Sequence, residues 1–327
     1  RLKRERIKVM NIVVLERSSV GTDVSVDSFG QFGKLTCYLN TAPEDVADRV
    51  ADAHIIICNK LPMNAHTLKK AACVQLICQF ATGYDNIDLD YCQSRGIYVC
   101  NVPDYCSDAV AQHTFAMLFY VLEKLRHYDD FVKSGAYAAQ DRFSNFDLPF
   151  MEISGKTWGI IGLGHIGRRV ADIASAFGCR VIYYSVSGQD RSTVYPRVSL
   201  DVLASSSDIL SVHCPLTDRT RHLISKDVLA QMKPSSILIN VARGPIIDST
   251  ALYDALISNT ILAAGLDVLE QEPMRPDDPL AGFKDSSRLL ITPHMGWAAI
   301  EARRRLVDET VKNIQAFLAH KERNRIC

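Results

Sequence analysis

The sequence predicts two α/β domains, each a doubly wound parallel sheet with helices on both faces. Three observations predict it. Short apolar runs alternate with helix-period segments along nearly the whole chain, the pattern of parallel strands joined by crossover helices. The chain has 327 residues, long for a single core and suited to two. One stretch, Thr157–Ser185, sets a strand, a glycine turn, a helix and a second strand in succession.

Taken in order, Ile12–Leu15 and Leu35–Leu39 read as strands. Pro43–Ala51 fits a helix with proline in its first turn. His54–Cys58 is a buried strand, Asn64–Ala72 a helix, and Val74–Cys78 a strand. Asp88–Arg95 is a helix stopped by Gly96, and Ile97–Val102 is a strand that Pro103 ends. Asp108–Arg126 reads as one long helix, with Val110, Thr114, Met117, Leu118, Val121 and Leu125 on one face. Tyr128–Pro149 is polar, aromatic and irregular, which suits contact with a second subunit.

Thr157-Trp158-Gly159-Ile160-Ile161 is a buried strand that runs into Gly162-Leu163-Gly164-His165-Ile166-Gly167. Ile166, Val170, Ile173, Ala174 and Phe177 then recur at helical spacing, and Arg180–Tyr184 is the next strand. In that setting a G-x-G-x-x-G run is a dinucleotide-binding signal. Gly162 permits the tight turn, Gly164 lets backbone approach a pyrophosphate, and Gly167 lets helix and strand pack closely. The helix N-terminus offers N–H groups and positive dipole to the phosphates. Strands follow at Ile209–Val212, Ile237–Val241, Ile261–Leu266 and Leu289–Ile291, and helices at Ser225–Met232 and Thr250–Ile257. Ile300–Leu318 is a last helix, long enough to return to the first domain. The predicted division is therefore 1–103 completed by 299–327, and 104–298.

Composition excludes several classes. Lys plus Arg equals Asp plus Glu at 37 each, so no charge excess points to nucleic acid or a membrane surface. No apolar run, Phe115–Leu122 included, approaches a bilayer span. The ten cysteines form no C-x-x-C pair. They read as reduced core residues of a cytoplasmic protein, with no disulfide framework and no metal site expected. No signal peptide is visible. Met10 followed by Asn11-Ile12-Val13-Val14-Leu15 has the look of a natural start, which would make Arg1–Val9 a leader.

Strands of the second domain repeatedly end in polar residues, where open α/β sheets bind ligands. Arg243 follows one apolar strand and His294 another, and Glu272 stands in the turn Glu270-Gln271-Glu272-Pro273. Arginine's planar fork binds a 2-oxo acid bidentately. Histidine delivers a proton to a carbonyl oxygen while a nicotinamide delivers hydride to carbon. Glutamate beside the imidazole fixes its orientation. Each has a plainer reading when taken alone: a surface charge, a solvated loop acid, a helix cap. In the first domain Phe80–Asp88 follows a strand end, either as an anion nest at Gly83 or as helix-capping residues. His213 reads as structural, and His54, His66 and His320 as solvent-facing or incidental.

Taken together, these motifs resemble the D-isomer-specific 2-hydroxyacid dehydrogenase family, in particular its glycerate dehydrogenase/hydroxypyruvate reductase branch. The resemblance spans about Asn11 to Leu318. It rests on Ala81-Thr82-Gly83-Tyr84-Asp85-Asn86-Ile87-Asp88, Asn101-Val102-Pro103, Val110-Ala111-Gln112-His113-Thr114, the Gly162–Gly167 turn and His213-Cys214-Pro215-Leu216-Thr217. Met232-Lys233-Pro234, Asn240-Val241-Ala242-Arg243-Gly244, Gly265-Leu266-Asp267-Val268, Glu272-Pro273 and Thr292-Pro293-His294 complete it.

The resemblance implies a flavodoxin-like substrate domain, a Rossmann dinucleotide domain and a homodimer. It implies reversible reduction of hydroxypyruvate or glyoxylate to D-glycerate or glycolate with NAD or NADP. Arg243, Glu272 and His294 would be catalytic. Ala81, Thr82, Gly83, Arg243 and Trp297 would meet substrate. Thr82, Gly162, Gly164, His165, Ile166, Gly167, Ser185, Cys214, Val241, Ala242 and Asp267 would meet the dinucleotide. One departure matters: NAD-using members usually carry Asp where this chain has Ser185, so NADP is expected to be accepted. Ser187 and Gly188 stand beside it, and Arg191 lies either within reach of a phosphate or on the surface. Two rival readings share the same residues: a D-lactate-type dehydrogenase for bulkier 2-oxo acids, and a dinucleotide-sensing corepressor.

Overall fold

The computed structural model describes residues 10–327. Arg1–Val9, read above as a leader, lies outside the described residues. The chain divides into two compact units. One takes the described residues up to Cys106 with Ala298–Cys327, and the other is Ser107–Trp297.

The first unit holds β1 (Met10–Val14), β2 (Gly33–Cys37), β3 (Ile55–Cys58), β4 (Leu76–Gln79) and β5 (Tyr98–Cys100). All are parallel, in the order β2-β1-β3-β4-β5, which is the flavodoxin-like arrangement. β3 is Ile-Ile-Ile-Cys and buried throughout, because a strand covered on both faces selects continuous apolar residues over alternation. The proline-led segment splits into a 3₁₀ turn at Pro43–Asp45 and α1 (Val46–Arg49). α2 (Leu89–Ser94) starts where the Asp88 carboxylate accepts from the Tyr91 amide at 2.9 Å. The C-terminal helix Ile300–Leu318 belongs to this unit and buries Leu306, Val307, Thr310 and Ile314.

The second unit holds β6 (Thr157–Ile161), β7 (Arg180–Tyr184), β8 (Ile209–Val212), β9 (Ile237–Asn240), β10 (Ala263–Leu266) and β11 (Leu289–Ile291). They form one parallel sheet in the order β11-β10-β9-β8-β6-β7. Its helices are α3 (Ser107–Leu122), α4 (Leu125–Lys133), α5 (Ala136–Ala139), α6 (His165–Ala176), α7 (Leu200–Ser206), α8 (Lys226–Gln231) and α9 (Ser249–Ile257). Ser199, Ser225 and Asp248 cap the last three by accepting from Val202, Val228 and Ala251 amides. Trp158 on β6 is fully buried, donates to Ser211 Oγ at 2.8 Å and lies 4.7 Å from the Phe115 ring of α3. That aromatic pair adds about 0.5–1.5 kcal/mol beyond its buried area.

Four local expectations are corrected. The helix expected over Asn64–Ala72 is a run of turns. The Asn64 side chain accepts from the His66 and Thr67 amides at 3.0 and 3.2 Å, and such local bonds compete with helix propagation. The single helix expected over Asp108–Arg126 is two, broken at Lys124 with φ 55°. Lys124 is 5% exposed and donates from Nζ to the Ser287 carbonyl at 2.9 Å; this tertiary contact overrides the local periodicity. Part of the segment expected to be irregular is therefore helical, in α4 and α5. His54, read as solvent-facing or incidental, is buried and accepts from the Asn11 amide through Nδ1 at 3.1 Å.

Candidate active site

Strand register aligns the second sheet's carboxyl edge. Tyr184, Ile161, Val212, Asn240, Leu266 and Ile291 are successive Cα partners across all six strands. Immediately beyond that line come Ser185, Gly162, Cys214, Val241 to Arg243, Asp267 and His294. These residues, scattered in sequence from Gly162 to His294, thus share one edge because each ends a parallel strand.

The strand order reverses between β6 and β8, and the glycine turn sits at that switch point. Gly162 has φ 91°, and a Cβ there would lie 2.8 Å from Cys214 Cβ. Gly167, on the first turn of α6, would place a Cβ 2.1 Å from the Gly162 carbonyl oxygen. At Gly164, the residue before α6, a Cβ would meet nothing within 4 Å. The turn is therefore closed towards the sheet and open outward, as a pyrophosphate cradle at a helix N-terminus requires. His165 is exposed and Ile166 half-buried on the first turn of α6, while Cys214 is buried. Burial pushes the Cys214 thiol up to about 12, which keeps it protonated. Burial also lowers its neighbour His213 to about 3, so the ring is neutral and shares a 2.8 Å hydrogen bond with Ser211 Oγ. Gly167→Ala is expected to cost about 1–3 kcal/mol of stability and to weaken dinucleotide binding. Denaturant unfolding and a dinucleotide titration check it, and wild-type values in both would contradict the cradle.

Past β7, Ser185 Oγ lies 3.3 Å from Ser187 Oγ. A cavity of about 410 Å³ opens there, lined by Tyr184, Ser185, Val186, Gly188, Arg197, Val198, Ser199 and Arg219. It is lined by two arginines and no carboxylate. Arg191 does not line it; its Nη2 donates to Gln189 Oε1 at 3.2 Å.

Past β9, the Asn240 side chain folds back on its own strand end. Its Oδ1 accepts from the Ala242 amide and its Nδ2 donates to the Arg243 carbonyl, both at 3.0 Å. This pins the Val241–Arg243 turn. Arg243 Nη1 donates to the Ala242 carbonyl at 2.8 Å. Past β10, Glu272 Oε1 accepts from the Leu269 amide at 3.1 Å, and Oε2 accepts from His294 Nδ1 at 2.7 Å. His294 has φ 55°, an uncommon state for a non-glycine residue and one that neighbours must enforce. Trp297 is half-buried three residues on.

Asp267 is only 2% exposed. Burial pushes its carboxyl up, but His113, the Thr292 hydroxyl and the Gly296 and Met295 amides outweigh this and hold it below the usual carboxylate range. The sequence motifs contain His113 and Thr292 but offer no role for either. Arg197 and Arg219 carry no signal in the sequence, since an arginine in a polar loop has no periodicity to betray it.

In the first unit, the loop after β4 is tied back by its carbonyls. Ala81 accepts from the Val102 amide at 3.0 Å, Thr82 from Asn101 Nδ2 at 2.7 Å, and Gly83 from Gln79 Nε2 at 2.9 Å. Their three amides donate no hydrogen bond among the described residues. Gly83 is not among the glycines of positive φ, so the loop presents amides without the left-handed turn of a classical nest geometry.

The family model for the D-isomer specific 2-hydroxyacid dehydrogenase NAD-binding domain matches residues 115–296. A glycerate dehydrogenase of Methylorubrum extorquens is 37% identical over 314 residues, covering 96% of this chain and 98% of the relative. A hydroxypyruvate reductase of Blautia hydrogenotrophica is 35% identical over 317 residues, covering 94% and 97%. The solved structure of an acyclic imino acid reductase in complex with NADPH and D-Arg superposes with TM-score 0.87 at 31% identity, covering 97% of this chain and 100% of that one.

Proposed function

Since the chain belongs to the D-isomer-specific 2-hydroxyacid dehydrogenase family, we propose that Arg243, Glu272 and His294 carry out its chemistry. The reaction is NAD(P)-dependent reduction of small 2-oxo acids. The observation that carries the assignment is the 2.7 Å His294–Glu272 pair, one strand end away from Arg243. When bound, the nicotinamide supplies hydride to the carbonyl carbon. With Nδ1–H donated to Glu272, the remaining nitrogen, Nε2, gives a proton to the carbonyl oxygen in reduction and takes it from the hydroxyl in oxidation. The Arg243 fork orients the 2-oxo acid, and the amides of Ala81, Thr82 and Gly83 take its carboxylate.

The dinucleotide is held by Gly162, Gly164, His165, Ile166, Gly167, Ser185, Cys214, Val241, Ala242, Asp267 and Thr82, in the places already described. Its phosphates meet the α6 N-terminus. NADPH is accepted because the cavity beyond Ser185 offers two guanidinium groups and no repelling carboxylate.

The substrate is hydroxypyruvate or glyoxylate, giving D-glycerate or glycolate, as the names of the relatives suggest. A panel of 2-oxo acids assayed with both NADH and NADPH tests this. The highest kcat/KM should fall on hydroxypyruvate or glyoxylate; preference for a bulky 2-oxo acid overturns the assignment.

The protein is a cytoplasmic homodimer in this reading. All ten cysteines are free, which suits a reducing compartment. Among the described residues, no helix is long and apolar enough to cross a membrane. Around α4 and α5, Leu125, Val132, Tyr137, Phe143, Phe146 and Phe150 are exposed, Phe143 at 91%. Apolar exposure on that scale marks an interaction surface. Sedimentation at micromolar concentration should show a dimer, and a monomer would refute it.

A further inference from the structure

We propose that His113 is a positioning residue for His294, acting through Asp267. His113 stands on α3, far in sequence from the strand ends it serves. Its Nε2 lies 3.2 Å from Asp267 Oδ1 and 3.1 Å from Thr292 Oγ1. Thr292 Oγ1 also donates to Asp267 Oδ1, at 2.6 Å. The same carboxylate takes the two amides that follow His294: Met295 on Oδ1 at 2.7 Å and Gly296 on Oδ2 at 2.8 Å. The Asp267 carbonyl takes the His294 amide itself at 2.9 Å. One residue therefore holds three consecutive amides, and these enforce the left-handed backbone of His294.

The arrangement works only while the Asp267 carboxylate stays ionised and fixed. A protonated carboxyl turns one acceptor oxygen into a donor and cannot receive the same amides. Burial at 2% exposure favours that protonated form. His113 and Thr292 oppose it by bonding Oδ1, the oxygen that also takes the Met295 amide, and so help fix the carboxylate's rotation. The packing leaves no slack: a Cβ on Gly296 would lie 3.0 Å from Asp267 Oδ2 and 3.5 Å from His113 Cδ2. Removing the His113 donor frees the carboxylate to rotate. The amides then loosen, and His294 loses its aim relative to Glu272. A small misplacement of a proton donor is costly in rate while leaving binding largely intact.

The proposal rests on His294 as proton donor, so His294→Ala is measured beside the variants. His113→Phe should fold, lower kcat by about ten- to a hundredfold, and leave the hydroxypyruvate KM within about threefold. His113→Gln places an amide N–H where the ring Nε2–H was and should recover most of the rate. Thr292→Val, near-isosteric but unable to donate, should fall in kcat in the same way and covers the case in which His113→Phe does not fold. A wild-type kcat in His113→Phe, a Gln variant no better than Phe, or losses confined to Tm and NADH affinity would each overturn it. If His294→Ala is slow while both His113→Phe and Thr292→Val turn over normally, only this proposal fails. If His294→Ala itself turns over normally, the assignment of the site fails.

Discussion

His294→Ala should lower kcat by about two to four powers of ten while NADH still binds. The imidazole stands at the sheet's carboxyl edge with one nitrogen fixed by the Glu272 carboxylate, at 2.7 Å, which leaves the other for proton transfer. Removing it leaves hydride transfer to a carbonyl whose developing negative charge no proton relieves. Glu272→Gln should cost less, because a carboxamide oxygen still accepts from Nδ1 and keeps the ring oriented. Arg243→Ala should fail differently: KM rises and kcat falls together, since the fork acts on the bound 2-oxo acid before and during the reaction. Arg243→Lys should rescue poorly, because a point charge cannot replace a planar fork. Steady-state kinetics with hydroxypyruvate, and fluorescence titration with NADH, separate these cases. Near-wild-type kinetics in either alanine variant would remove that residue from the mechanism.

The parts of this molecule legible in the sequence are those set by short-range chemistry. β11 and the C-terminal helix fall on Leu289–Ile291 and Ile300–Leu318, the spans their apolar runs predict. The turn from Gly162 to Gly167 is legible because each glycine answers to a local clash or opening. The strand-end residues are legible because parallel topology forces strand ends to one side. What stays hidden depends on partners distant in sequence. Lys124 breaks a helix whose periodicity continues through it, and the reason is a carbonyl at Ser287. His54 looks polar and exposed in sequence, yet the Asn11 amide gives it a place in the core. His113 sits on a helix in a pattern that marks it only as amphipathic; its role appears once Asp267 and Thr292 stand beside it. Arg197 and Arg219 reach one cavity from loops 22 positions apart.

Those two arginines set the expected outcome of Ser185→Asp, which should move cofactor preference strongly towards NADH. A carboxylate at the end of β7 accepts hydrogen bonds from an adenosine ribose and repels a 2′-phosphate. Two unit charges about 4 Å apart interact by roughly 4 kcal/mol at an effective dielectric of 20, and salt reduces this at an exposed site. The wild-type cavity has no such charge: Ser185 presents a hydroxyl, Arg197 is anchored to the Gly188 carbonyl, and Arg219 stands exposed on the facing loop. Wild-type enzyme should therefore accept NADPH at least comparably with NADH. Ser185→Asp should cut kcat/KM for NADPH by about ten- to a hundredfold, the screened fraction of that repulsion, and should change NADH far less. Arg219→Ala should weaken NADPH alone, and the NADPH advantage in both wild type and Arg219→Ala should shrink as salt is raised. Kinetics with both cofactors at two ionic strengths decide the matter. A wild-type enzyme that already prefers NADH a hundredfold in kcat/KM would make Ser185 a neutral replacement and the arginines ordinary surface charges.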